Sequence, residues 1–171
     1  MKAKEPRTQK RLLLYDGGDG ELLAAENSRD ILFSAAPPVK PCTGCFGCWV
    51  KTPGRCVLDD RASALPGYLK QCREMAILSP IWYGGYSPNV KAAVERCLGY
   101  MLPYFRSIGG EMHHRMRYDN PFQLSVHFYG ACDDEEKEIA GRLVRANAVN
   151  LGAGGYSVAF HDSFAAARRA V

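Results

Sequence analysis

The sequence predicts an α/β fold built on a mainly parallel sheet of about five strands. Three observations carry that prediction. Short apolar runs of strand length alternate along the chain with helix-length amphipathic segments. Several runs end in glycine-rich or aromatic loops, as buried parallel strands do when they meet a helix. The length of 171 residues, 47% of them hydrophobic, is enough for one domain with a real core.

The elements follow in order. Arg11–Tyr15 (RLLLY) is a strand stopped by DGGDG, and Ile31–Ala35 (ILFSA) is a second, weaker one. Glu21–Asp30 between them has room for a short helix at best. Pro37, Pro38 and Pro41 then force a loop, the cysteine-rich segment 41–60. Ala62–Arg73 reads as a helix weakened by Pro66 and Gly67, and Glu74–Pro80 (EMAILSP) as a strand running into the loop IWYGGY. At Ser87-Pro88 a cap and a first-turn proline open a helix, with Val90, Ala93, Val94, Cys97, Leu98 and Met101 at helical spacing. The stretch 103–120 shows no clean period and is expected to be an irregular insertion, whose Tyr104, Phe105 and Tyr118 suit a subunit interface. Phe122–Tyr129 (FQLSVHFY) is a strand ended by Gly130. Asp133–Glu136 places negative charge at the start of a helix that stops at Gly152. Gly155–Phe160 is the last strand, and FAAARRA is a short polar tail.

Composition narrows the function. A net charge of +4, from 22 basic and 18 acidic residues, is too balanced for a dedicated nucleic-acid binder. No apolar run approaches the roughly 18 residues of a membrane span, and the basic start lacks the apolar stretch of a signal peptide. A cytoplasmic protein with no nucleic-acid or membrane partner is expected. Seven cysteines, an odd number, four of them within Cys42–Cys56, read as metal or redox chemistry rather than a disulfide framework. Cys42, Cys45, Cys48 and Cys56 are spaced C-x2-C-x2-C-x7-C. Four thiolates in so short a segment suit an iron–sulfur cluster or tetrahedral zinc. The competing reading is a set of free thiols on a loop that packs beside a cofactor.

In an open parallel sheet, ligands bind beyond the carboxyl ends of the strands where strand order reverses. That rule gathers the loops Asp16–Gly20, Ser79–Tyr86 and Gly130–Cys132. A flat apolar ring needs aromatic walls and close backbone approach, which Trp82, Tyr83, Gly84 and Gly85 provide.

Two segments, CTGCFGCWVKTPGRCVLDD and SPIWYGGYSPNVKAAVER, resemble the NADPH-dependent FMN reductase and iron–sulfur flavoprotein branch of the flavodoxin-like superfamily. The similarity spans about Leu12 to Phe160. It implies a flavodoxin-like three-layer sandwich and an FMN-dependent oxidoreductase. Electrons would pass from NAD(P)H to a small acceptor, in a homodimer or homotetramer. By the same resemblance Ser79, Pro80, Ile81, Trp82, Tyr83, Gly84 and Gly85, with Tyr129 and Gly130, contact the flavin. Cys42, Cys45, Cys48 and Cys56 match the motif that holds a [4Fe-4S] cluster, Lys91 and Arg96 fall in the family's K…R pattern, and Asp59-Asp60 in its acidic pair. The first loop departs from the family: DGGDGE stands where a Gly-Ser-rich, often Arg-containing turn and a full helix hold the FMN phosphate. The acid-rich loop favours a rival, a non-enzymatic flavodoxin-like protein that has lost FMN and keeps its cysteines as a structural zinc site or thiol sensor. An iron–sulfur carrier without flavin is a third reading.

Weaker features complete the picture. Glu111, His113 and His114 offer metal ligands, but adjacent histidines point apart in regular structure. His127 is expected as a hydrogen-bonded core histidine. His161-Asp162 forms a pair with no nucleophile to complete a triad. Lys51, Arg55, Arg115 and Arg117 are placed to attract a nicotinamide-cofactor phosphate.

Overall fold

A computed structural model describes residues 10–17 and 29–171. The expected helix at Glu21–Asp30 and the first-loop residues Gly18, Asp19, Gly20 and Glu21 fall mostly or wholly outside the described residues. Five parallel strands make the main sheet: β1 (Lys10–Tyr15), β2 (Asp30–Ser34), β3 (Cys72–Trp82), β7 (Gln123–Tyr129) and β8 (Gly155–His161). Their spatial order is β2-β1-β3-β7-β8. Counting only these five, the order is 2-1-3-4-5, that of the flavodoxin-like doubly wound fold.

The register explains the near-continuous apolar runs. Leu14, Ile77 and Val126 stand side by side across β1, β3 and β7, and Tyr15, Leu78 and His127 share the next row. Successive rows face opposite sides of the sheet. One face, with Leu12, Leu14, Met75, Ile77, Leu124, Val126 and Phe128, lies in the larger core. Helices α2 (Leu65–Leu69), α3 (Pro88–Glu95) and α4 (Asp134–Leu151) cover it. The other face buries Leu13, Tyr15, Ala76 and Leu78 against Phe164 and Ala167 of α5 (Phe164–Arg169). Each fully buried side chain of this size contributes roughly 1.5–3 kcal/mol.

Helix α4 shows its determinants plainly. Asp133 and Glu136 form a reciprocal capping box, and Asp134, Glu135 and Glu136 place charge against the helix dipole. Ala140, Val144, Ala148 and Leu151 form the buried stripe, and Gly152, at φ 67°, ends the helix in the left-handed conformation.

Several expectations need correction. The helix read over Ala62–Arg73 is shorter, a 3-10 turn at Arg61–Ala64 followed by α2, with Cys72 already in β3. Pro66 is tolerated only because it sits in the first turn of α2. The cysteine segment is not all loop, since α1 (Gly47–Val50) makes one helical turn in it. The stretch 103–120 is not irregular. It carries an antiparallel hairpin of β5 (Met101–Ile108) and β6 (Glu111–Met116). Gly109 and Gly110 at φ 57° and 88° form the two-residue turn that suits such a hairpin. The polar tail is helix α5, started by the Ser163 side chain accepting from the Ala166 amide.

Candidate functional site

The order reverses between β1 and β3, so the carboxyl ends of these strands and of β7 open onto one rim of the sheet. Asp16 continues β1 there, with its amide bonded to the Leu78 carbonyl. The aromatic loop is not a loose excursion. Ile81 and Trp82 pair antiparallel with Tyr86 and Gly85, the last two forming the short strand β4. Tyr83 and Gly84 make the tip, both at positive φ, 49° and 71°. Left-handed backbone at a tyrosine is a costly conformation that other contacts must hold. Gly84 is required by space as well. A Cβ there would meet the Ile139 side chain at 2.8 Å and the Glu136 carbonyl at 3.1 Å. The tip is therefore clamped against α4.

Its aromatics stand outward. Trp82 is 54% exposed and Tyr83 84%, with the rings edge to face. Large aromatics left in water beside a glycine-rich rim are the unusual observation here, since such surface is ordinarily buried. Gly130 ends β7 at φ 104°, leaving the rim beside it without a side chain. Trp82, Gly85 and Tyr86 also line an apolar groove of about 430 Å³ between α3 and α4, with Lys91, Val94, Leu143 and Asn147. Burial pushes the Tyr86 hydroxyl up to about 12, against a hydrogen bond with Asn147 that lowers it.

The remaining expected flavin contacts, Ser79, Pro80, Ile81 and Tyr129, lie along the same rim and make bonds within the chain. Ser79 is fully buried, and its hydroxyl donates to the Pro80 carbonyl and accepts from the Ser87 amide. Pro80 and Ile81 are half-buried. The Tyr129 hydroxyl donates to the Asp16 carbonyl, tying β7 to the end of β1. Sequence reasoning missed the role of Asp16 itself. Its buried carboxylate accepts from the Ser87 hydroxyl at 2.8 Å and the Asn89 amide at 3.2 Å. Ser87 meanwhile caps α3. The Asp16 carboxylate is thus turned onto the start of α3. No local signal announces a contact between residues more than 70 positions apart.

The four clustered cysteines are neighbours in space: burial first, and then the nearby Cys56, Cys42 and Cys45 thiols, push the Cys48 thiol up. Cys45 is exposed, Cys48 is buried, and Cys42 and Cys56 are half-buried. The turn of α1 points Cys48 toward Gly99, where its Cβ lies 3.3 Å from the position a Gly99 Cβ would take. Cys56 sulfur accepts from Arg96 Nε at 3.1 Å. Cys42 lines a groove with Val94, Leu98 and Leu151. Among the described residues no three Cys, His, Asp or Glu side chains are grouped to share a metal ion. The [4Fe-4S] cluster or zinc site expected from the spacing is therefore not supported by the arrangement of these described thiols.

Arg96 organises this segment instead. Its guanidinium is buried and donates to the Lys40 and Leu58 carbonyls, to both oxygens of Asp60, and to Cys56. Burial works to raise the Asp60 carboxyl, yet the Arg96 hydrogen bonds and the Lys40 amide outweigh it and hold the carboxyl below its usual range. Asp60 also caps the turn at Arg61–Ala64. Lys91, by contrast, lies exposed and pairs with Glu95.

Other candidates resolve simply. His127 Nδ1 lies 3.0 Å from His161 Nε2, so the two imidazoles partner each other. His113 bonds Glu111 and Asn150, whereas His114 packs against Trp49 and Phe105, so the adjacent histidines do point apart. Arg117 donates to the Gly99 and Met101 carbonyls, and Arg55 to Ser63. No described helix is long and apolar enough to cross a membrane.

Comparison with known proteins yields fold relatives alone. No family model and no curated protein matches the sequence. Among solved structures, the chain is similar to an FMN-dependent NADH-azoreductase from Bacillus anthracis strain Ames Ancestor, determined in complex with FMN. The TM-score is 0.53 at 12% identity, covering 89% of this chain and 86% of that one. An azoreductase from Bacillus anthracis strain Sterne matches with a TM-score of 0.51 at 11% identity, over 88% and 86% of the two chains. At such identities the likeness establishes the flavodoxin-like α/β architecture.

Proposed function

We propose that the chain is an FMN-dependent oxidoreductase that moves electrons from NAD(P)H to a small organic acceptor. One observation carries the reading: the clamped tip that holds Trp82 and Tyr83 in solvent at the β1/β3 switch point, beside the side-chain-free Gly130. A flat, largely apolar ring fits such a cradle, and the two-residue turn at Tyr83 and Gly84, with both residues at positive φ, stands the aromatics outward to meet it. The fold relatives, one an FMN-dependent NADH-azoreductase in complex with FMN and the other an azoreductase, support the same reading. FMN, when bound, would supply the redox chemistry of hydride and electron transfer between nicotinamide and acceptor.

The chain's own part is positional. Trp82 and Tyr83 would cover the ring, and Gly130 would let backbone approach its edge. Gly84, seated on Ile139, fixes the angle at which the aromatics stand. Ser79 and Ser87 brace the return strand, and Asp16 anchors the start of α3 to the end of β1. With the buried acid directed at Ser87 and Asn89, the rim retains room for the ring.

The test is a fluorescence titration of FMN and of riboflavin with the purified chain and with Trp82→Ala. Saturable quenching that weakens about tenfold in Trp82→Ala, the order of an aromatic stacking loss, supports the reading. Quenching absent for both flavins refutes it.

A further inference from the structure

The opposite rim of the main sheet holds a second arrangement, unconnected with the flavin cradle. It lies the seven-residue length of β7 away, roughly 20 Å at the rise of a strand. There the hairpin meets the end of α4 around a cavity of about 550 Å³ whose lining includes Arg106, Arg115, Tyr118, Asp119 and Gly152.

Arg106 on β5 stands opposite His113 on β6. Arg115, two residues beyond His113, shares its face of the hairpin. The fold thus places two guanidinium groups diagonally on one face, where like charges repel. No carboxylate among the described residues forms an ion pair with either. Glu111, the carboxylate on that hairpin face, is bonded to His113. Asp119, also in the cavity lining, has an interaction of its own. Among the described residues Arg106 Nε is buried with no hydrogen-bond partner, and Arg115 donates from its Nε to the Phe105 carbonyl. A desolvated cationic donor without an acceptor is expensive and calls for a ligand to complete it.

The geometry points to an oxyanion site, in which a phosphate group is held between the Arg106 and Arg115 guanidinium forks. Planar guanidinium pairs bind tetrahedral oxyanions through two parallel N–H···O bonds each, and an anion between two such forks removes their mutual repulsion. Inorganic phosphate and the phosphate of a nucleoside monophosphate share this chemistry.

Calorimetric titration of the full chain with inorganic phosphate and, separately, with adenosine monophosphate tests the assignment. Saturable binding of at least one is expected, with Arg106→Gln and Arg115→Gln each weakening it about tenfold, the loss of one charge-assisted hydrogen bond. The double variant should show no saturable binding. Tighter binding of the nucleotide identifies an organic phosphate, and equal binding a free ion. Arg106→Lys, which keeps the charge and loses the fork, should bind between wild type and Arg106→Gln, and circular dichroism confirms that each variant is folded. Absence of saturation with either probe in the wild type overturns the site, as does unchanged affinity in a folded double variant. FMN binding in these variants should equal that of the wild type, so failure here leaves the flavin reading untouched.

Discussion

Replacing Arg96 with alanine should cost about 3–5 kcal/mol, the range for removing one partner of a buried ion pair. The side chain is wholly inside and Asp60 nearly so, with 0% and 16% of their side-chain surfaces exposed. The substitution strands a carboxylate that keeps only the Lys40 and Ala62 amides. The Lys40 and Leu58 carbonyls also lose a donor. Against a typical stability of about 5–15 kcal/mol this is a large share. For a chain of this size it lowers Tm by roughly 10 °C. Urea unfolding followed by circular dichroism gives the free energy directly. Arg96→Lys should recover only part of the loss, because an ammonium cannot make the planar fork. Lys91→Ala, at the exposed pair with Glu95, should cost no more than about 0.5 kcal/mol. A loss for Arg96→Ala below about 1 kcal/mol, the value of a surface pair, would show that the guanidinium does not hold the 40–60 segment.

Three further outcomes are expected. Gly84→Ala should destabilise by about 1–3 kcal/mol through its contact with Ile139 and its positive φ, measured by the same unfolding assay; a neutral result would mean that the tip is not clamped. His127 has its pKa lowered by burial and by the neighbouring His161. The unfolded chain therefore takes up the proton first, near pH 6.5, and stability should fall as pH drops from about 7 through that value toward the folded pKa. His127→Gln should flatten this slope, and an unaltered slope excludes the pair as its source. Alkylation mapped by mass spectrometry should find Cys45 modified first, since it is exposed and the Gly47 amide and Thr43 hydroxyl lower its pKa. Cys72 and Cys97, raised by burial to about 11 and about 12, should react only on unfolding; early labelling of Cys97 contradicts that burial.

The parallel strands were legible because a strand covered on both faces must be apolar throughout, and RLLLY and EMAILSP could be little else. Helix α4 was legible through Asp133 and Gly152, which carry their own start and stop. The β5–β6 hairpin was not, because both its faces are partly exposed and Tyr104, Phe105, His113 and His114 follow no two-residue alternation. The site was half legible. Trp82 and Tyr83 stood out as aromatics next to glycines, but the antiparallel return that turns them outward depends on Ile139, far along the chain. The cysteine spacing alone does not decide for a metal site, for a physical reason. Thiol spacing constrains a metal site only if the backbone folds the thiols inward, and here α1 buries Cys48 while leaving Cys45 in solvent. Arg96, read only as a position in a pattern, gathers Lys40, Cys56, Leu58 and Asp60 through contacts that no sequence period encodes.

The central claim is that a flavin ring lies against Trp82 and Tyr83. A visible absorption spectrum of the purified chain, recorded after loading with FMN and gel filtration, tests it most directly. Flavin bands that co-elute with the protein and bleach when NADH is added under anaerobic conditions are the expected result. A colourless protein after loading would contradict it.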